Sequence, residues 1–258
     1  MNLITWILRA TLPVSTIVFL LGFYGVASAA LPDTGQTSCF NGSVLVACDE
    51  SNTGDASGMP RQDGGLGLDS AGASKIGGGA AGFDYSKFDA AGNVLDASAS
   101  TWACTRDNLT GLTWEVKTAD GGLRDVGHRY AWSNADSAVN GGDAGGTTET
   151  ARCSDSLNGQ GCSSGNYVAA VNALNLCGVS DWRMPTQREL LTLVHAGAIN
   201  PTIDTGYFPN TADDAYWAAN SYGRIPAMAW GVHFGYGAAN ADYKTRFYRL
   251  RLVRGVPF

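Results

Sequence analysis

"SDWRMPTQREL", Ser180–Leu190, decides how this chain folds, because a helix start is written into it. Pro185 has no N–H and holds Met184 out of the helical region. Thr186 and Glu189 stand at capping-box spacing, Thr186 as N-cap and Glu189 reaching back from the third helical position. The helix should begin abruptly, with Leu190, Leu191 and Val194 as its apolar side. His195 is expected in its last turn before Gly197, where a partial positive charge suits the dipole. Trp182 and Arg183 precede the cap and are expected against the domain body, with Arg183 satisfying loop carbonyls rather than clamping a ligand.

Upstream, "NYVAAVNALNLCG" places Tyr167, Ala170, Val171 and Leu174 at helical spacing and stops at Gly178. "GLTWEVK" alternates as a strand, with Glu115 expected to face solvent or cap a loop. Downstream, "AMAWGVHFGYG" alternates with period two. Met228, Trp230, Val232, Phe234 and Tyr236 fall on one face, as in a half-buried strand. "FYRLRLVRG" repeats the pattern, with Tyr248, Leu250 and Leu252 inward. Two central helices followed by a late antiparallel sheet define an α+β domain.

The first residues are a different kind of chain. "MNLITWILR", an apolar run and "ASAA" follow the order of a secretory signal peptide, so residues 1–29 are expected to be removed. An uncleaved anchor is the alternative, since the apolar run is almost long enough to span a bilayer. No second such segment follows, so no membrane span is expected after cleavage. Residues 30–81, rich in Gly, Ser and Asp, read as an extended lead-in to a domain at 82–258.

The whole chain carries 17 Lys and Arg against 23 Asp and Glu, a net charge of −6. The signal contributes only Arg9 to that balance, so the remainder is more acidic still. Such a chain repels nucleic acid. All six cysteines lie in the exported part, which points to disulfides. Fifteen pairings exist, and spacing favours Cys39–Cys48 and Cys153–Cys162, leaving Cys104 for Cys177. A zinc site is the weaker reading, with no Cys-x-x-Cys pair and three His.

The ordered set "LPDTGQT", "WACTRDNLTGLTWEVKT", "YVAAVNALNLCGVSDWRMPTQRELLTLV", "INPTID..YFPNT", "YWAANS" and "RLVRG" resembles the Lcl C-terminal domain family, named for a collagen-like bacterial adhesin. The resemblance covers about Phe83 to Gly255 and implies an exported, adhesin-like domain with a C-type-lectin-like fold. "WRMPTQREL" is also similar to a stretch of the formylglycine-generating enzymes. Those oxidases need a C-terminal cysteine pair for copper, and no Cys follows Cys177 here, which disfavours that chemistry. No catalytic residue or cofactor is therefore assigned.

Other chemistries fare no better. His128, His195 and His233 accompany no Gly-x-Ser-x-Gly elbow, and of four Glu residues (Glu50, Glu115, Glu149, Glu189) the last is already a cap. The sugar-binding calcium loops of C-type lectins are missing, because "FPN" at Phe208–Asn210 lacks the leading ligand. A structural calcium in an Asp-rich loop remains an option, with "DAAGN" from Asp89 suggestive.

Ligand contact is expected in the C-terminal fifth, where twelve Phe, Trp and Tyr residues follow Gly206, more than one core readily absorbs. "NSYGR" and "GYGAANADYK" should be loops at one end of the sheet, presenting Asn220, Tyr222, Arg224, Tyr236, Asn240, Asp242 and Tyr243. Such loops would also suit a retroelement-diversified variable receptor. Lys244, Arg246, Arg249, Arg251 and Arg254 crowd into eleven positions. If the Arg249 and Arg251 face is exposed it could hold an anionic surface polysaccharide or protein. The alternative is internal pairing with Asp213, Asp214 or Asp242.

Overall fold

The computed structural model describes residues 33–47, 68, 74–157 and 159–257. The signal segment and Cys48 lie outside them. The strands are β1 (Ser38–Phe40), β2 (Leu45–Ala47), β3 (Tyr85–Phe88), β4 (Val94–Leu95), β5 (Cys104–Asp107), β6 (Thr113–Glu115) and β7 (Tyr130–Ala131). Helices α1 (Ser164–Ala173) and α2 (Gln187–Leu191) follow, then β8 (Ala215–Ser221), β9 (Met228–His233), β10 (Ala238–Tyr243), β11 (Phe247–Tyr248) and β12 (Val253–Arg254). The strands form a five-stranded sheet ordered β12-β6-β5-β3-β4, a three-stranded sheet β10-β9-β8, and the pairs β7–β11 and β1–β2. Among the described residues the named strands pair antiparallel with one another, so the domain is α+β with the expected late sheet.

The "DWRMPT" stretch is where the layers meet. Arg183 forms an antiparallel bridge with Val253, continuing the five-stranded sheet beyond β12. Asn172 of α1 accepts the Trp182 N–H at 2.8 Å and donates to the Trp182 carbonyl at 2.9 Å. The buried indole donates to the Leu176 carbonyl at 3.0 Å. Four residues later the Thr186 hydroxyl accepts the Glu189 N–H and the Glu189 carboxylate accepts the Thr186 N–H, so the capping box is present.

Several burial expectations are corrected. The first helix ends at Leu174, because Asn175 takes a left-handed conformation (φ 49°), and Leu174 is exposed. Leu176, in the following turn, fills the core instead. After the cap, α2 runs a single turn and a half, so Leu190 and Leu193 are buried and Leu191 is exposed. His195 lies beyond that helix, with its backbone N–H on the Thr202 carbonyl and its ring against Phe83.

The three-stranded sheet divides two apolar clusters. Trp217 and Ala229 look into one with Tyr130, Trp132, Tyr167 and Trp182, while Tyr216, Ala218 and Val232 look into the other with Trp114, Leu190 and Phe208. With both faces covered, Ala229 and Gly231 are buried as fully as Val232, and Trp230 and Tyr236, expected inward, are half-buried and exposed. The same cover explains Glu115. It faces neither solvent nor a loop but is fully buried, accepting hydrogen bonds from Lys117 Nζ (3.1 Å), the Leu252 N–H (3.0 Å) and the Tyr167 hydroxyl. Burial lowers the Lys117 pKa, with Glu115 opposing that shift.

Disulfides join Cys104 to Cys177 and Cys153 to Cys162, as spacing suggested. Cys39 is disulfide-bonded, and its expected partner Cys48 lies outside the described residues. Part of the lead-in is docked. The Ala196 N–H reaches the Thr34 carbonyl (2.7 Å), and Ile76 and Gly77 donate to the Asp84 carboxylate at 2.8 and 2.7 Å.

Candidate functional site

The C-terminal candidates do not share one loop cluster. Consecutive hairpin turns of β8-β9-β10 lie at opposite ends of the sheet, so Tyr222 and Arg224 sit at one end and Tyr236 at the other. Asn240 and Asp242 lie within β10, opposite Gly231 and Ala229. Tyr243 closes that strand opposite Met228, with its side chain exposed. Tyr236 stacks on His233 at 4.2 Å and Tyr222 meets Trp230 edge-on at 5.2 Å. Asn220 Oδ1 accepts the Gln187 N–H at 2.8 Å, fastening β8 to the start of α2.

The Arg249 and Arg251 face is not exposed, and Arg249 makes the internal pairing with Asp214 that stood as the alternative to an anion-holding face. Arg251 is fully buried, its guanidinium donating to the Glu115 carbonyl at 2.7 Å and to the Thr211 hydroxyl at 2.6 Å. Arg249 Nε donates to Asp214 at 3.0 Å, and Arg254 pairs with Asp181 at 2.8 Å. Lys244 is buried over Trp132, its ammonium on the carbonyls of Asn140 and Asp143. Burial removes water around Arg249, Arg251 and Lys244, so those cations must find oxygen within the protein, whereas Arg254 meets Asp181 at the surface. Arg246 alone of the five stays mostly exposed, at 68% of its side chain.

Arg246 belongs instead to a cleft that the sequence did not reveal. Pairing of Phe247 with Ala131 and of Tyr248 with Tyr130 brings Arg129 beside the last strands. The Arg129 N–H bonds to the Arg152 carbonyl at 2.9 Å, and the Arg152 guanidinium lies over the Phe247 ring at 4.8 Å. Together Arg129, Arg152, Thr245, Arg246, Phe247 and Tyr248 line an open cavity of about 330 Å³. Asp214 Oδ2 sits 2.7 Å from Arg129 and 3.0 Å from Arg249, so one carboxylate serves two guanidinium groups. Asp242 is 3.9 Å from Arg246 and accepts the Tyr248 hydroxyl at 2.6 Å. Burial and that carboxylate raise the Tyr248 pKa, so it remains a neutral donor. Arg152 has no carboxylate within ion-pair distance among the described residues.

Arg129 and Arg152 carry no spacing signal, being drawn to Arg246 by strand pairing across a long stretch of chain. Their only local markers are the adjoining "YAW" strand and the adjoining Cys153. Among the described residues no group of three or more His, Cys, Asp or Glu is arranged to hold a metal ion. In the "DAAGN" turn, Asp89 Oδ1 accepts the N–H groups of Ala91 and Asn93.

An α+β domain braced by disulfides, with an arginine-lined cleft at its last strands, is the class this geometry defines. The Lcl C-terminal domain model matches residues 103–254, more than half of the chain, and the chain belongs to that family. No curated protein and no solved structure matches it. Among the described residues no helix is long and apolar enough to cross a membrane.

Proposed function

We propose that the protein is an exported, non-catalytic, adhesin-like domain of C-type-lectin-like type that binds an anionic surface polysaccharide or protein through the Arg129–Arg152–Arg246 cleft. The observation that carries this reading is an excess of guanidinium over carboxylate around one open cavity of an otherwise acidic chain. Guanidinium forks match sulfate, phosphate and carboxylate groups bidentately. Phe247 and Tyr248 supply apolar floor and a neutral donor beside them. Membership of the Lcl family supports the adhesin-like setting, and the disulfides suit an oxidising compartment.

The test is retention of the disulfide-bonded protein on a sulfated-polysaccharide column under a salt gradient. Replacing Arg129, Arg152 and Arg246 with Gln should abolish retention while the circular dichroism spectrum and melting temperature hold. Unchanged retention of the triple variant would remove the cleft from the function.

A further inference from the structure

A second cavity, of about 310 Å³, opens on a different part of the three-stranded sheet and is lined by Thr186, Gln187, Arg188, Asn220, Ser221 and Trp230. Its chemistry differs from that of the arginine cleft. Apart from Arg188 it carries no charge, and its polar groups are amides and hydroxyls. Trp230 is half-buried on β9, held by the edge-on contact with Tyr222 and by packing against the cluster that contains Val232 and Leu190.

The polar rim is preorganised. Because Asn220 Oδ1 already accepts the Gln187 N–H, its amide nitrogen is left as a donor. Thr186 is fixed by the capping box, which orients the chain that carries Gln187 and Arg188. Arg188 is exposed and makes no ion pair among the described residues.

We propose that this cavity is a binding subsite for a neutral hexose ring, with Trp230 as the apolar platform and Asn220, Gln187 and Arg188 as hydrogen-bonding rim. A pyranose suits it because the ring has an apolar C–H face and a periphery of hydroxyl groups that both donate and accept. Planar amide and guanidinium heads can engage two neighbouring hydroxyls at once. An anionic ligand would find one cation here, against three in the arginine cleft. The two sites therefore divide a glycan by chemistry, and this one stands whether or not the arginine cleft binds anything.

The experiment uses the intact disulfide-bonded protein and a panel of neutral methyl hexosides, including the 2-acetamido sugars, followed by NMR. At least one sugar should shift the Trp230 indole resonance, assigned from Trp230→Phe, with affinity of roughly millimolar order. Added salt should not change it. Arg188→Ala lies at the surface and should keep the fold; Asn220→Ala also loses its bond to the Gln187 N–H, so its circular dichroism spectrum and melting temperature are compared with those of the parent. Both variants should weaken binding about tenfold, whereas the Arg129, Arg152 and Arg246 triple variant should bind normally. Absence of any shift across the panel, or a shift unaffected by both Asn220→Ala and Arg188→Ala, would overturn the proposal. Preference for a nucleotide or a sulfated sugar over every neutral hexoside would overturn it as well.

Discussion

Arg183 and Glu189 meet as two parallel forks, with Nη1 and Nη2 donating to Oε2 and Oε1 at 2.8 and 2.7 Å. The same Oε2 accepts the Thr186 N–H at 2.7 Å, and Arg183 Nη2 also reaches the Gly255 carbonyl at 3.1 Å. One carboxylate thus caps α2 and ties that helix to the segment after β12. Arg183 is a brace, and its exposed remainder is 28% of the side chain.

Replacing Arg183 with Met should cost about 3 kcal/mol, because Glu189 is fully buried and would be left half-paired. Arg183→Lys should cost less but not nothing, since an ammonium cannot reproduce the fork. Urea denaturation followed by tryptophan fluorescence measures both. A loss below about 1 kcal/mol for the Met variant would mean the pair behaves as a surface ion pair.

Alkaline pH should unfold the domain. Burial raises the pKa of Tyr85, Tyr130, Tyr167 and Tyr216 above the ordinary value of 10.0, with Asp107 adding to it at Tyr85 and Glu115 at Tyr130 and Tyr167. A raised folded-state pKa gives stability that is complete below the unfolded value and is lost as pH climbs above it. Burial lowers the pKa of Lys117, Lys244 and Arg251, which relieves a penalty as pH rises, but Tyr207 and Tyr248 join the raised tyrosines, so six groups oppose three. Melting temperature should therefore fall steeply above about pH 10. The phenolate absorbance of these tyrosines should appear together with unfolding rather than before it.

The two described disulfides should differ in worth. Cys104–Cys177 spans 73 residues and Cys153–Cys162 spans 9. Loop-closure entropy then assigns about 4 kcal/mol to the first and about 2.5 kcal/mol to the second. Double Cys→Ser variants compared by urea midpoint should preserve that order. The reverse order would show that the long loop is already restrained in the unfolded chain.

Gly92 and Gly178 interlock two turns. Gly92 has φ +90° and a Cβ there would lie 2.5 Å from the Cys177 carbonyl oxygen; Gly178 has φ +74° and would meet the Ala91 carbonyl oxygen at 2.7 Å. Gly111 shares the left-handed conformation (φ +74°) but faces open space. Gly111→Ala should thus cost about 1 kcal/mol, and Gly92→Ala clearly more. Equal losses in thermal melts would show that the turns can separate without penalty.

Legibility in the sequence followed the range of the signal. The α2 cap could be read because Pro185, Thr186 and Glu189 act within a few residues of one another. The exposure of Leu174 could not, because helical periodicity does not say where Asn175 turns left-handed. The burial of Glu115 and of Arg251 is hidden from the sequence for one shared reason. Alternation reports two faces of a strand but not whether the second face meets water, and here tertiary cover buries both. Arg129 and Arg152 have no local signal, because the β7–β11 pairing and the Arg129 N–H bond to the Arg152 carbonyl are what bring them to Arg246.

Residues 247–254 pair with β7, flank β8 through Arg249, and lie between β6 and Arg183. Arg251 reaches a carbonyl 136 positions back. Contacts of such span are slow to find and arrive late in folding. Residues 247–254, at the end of the described chain, therefore tie the separate sheets together, and a nascent polypeptide lacking them lacks those ties. Under the exported reading that timing is protective. On that reading the chain would stay threadable until β12 is through and would close only on the far side.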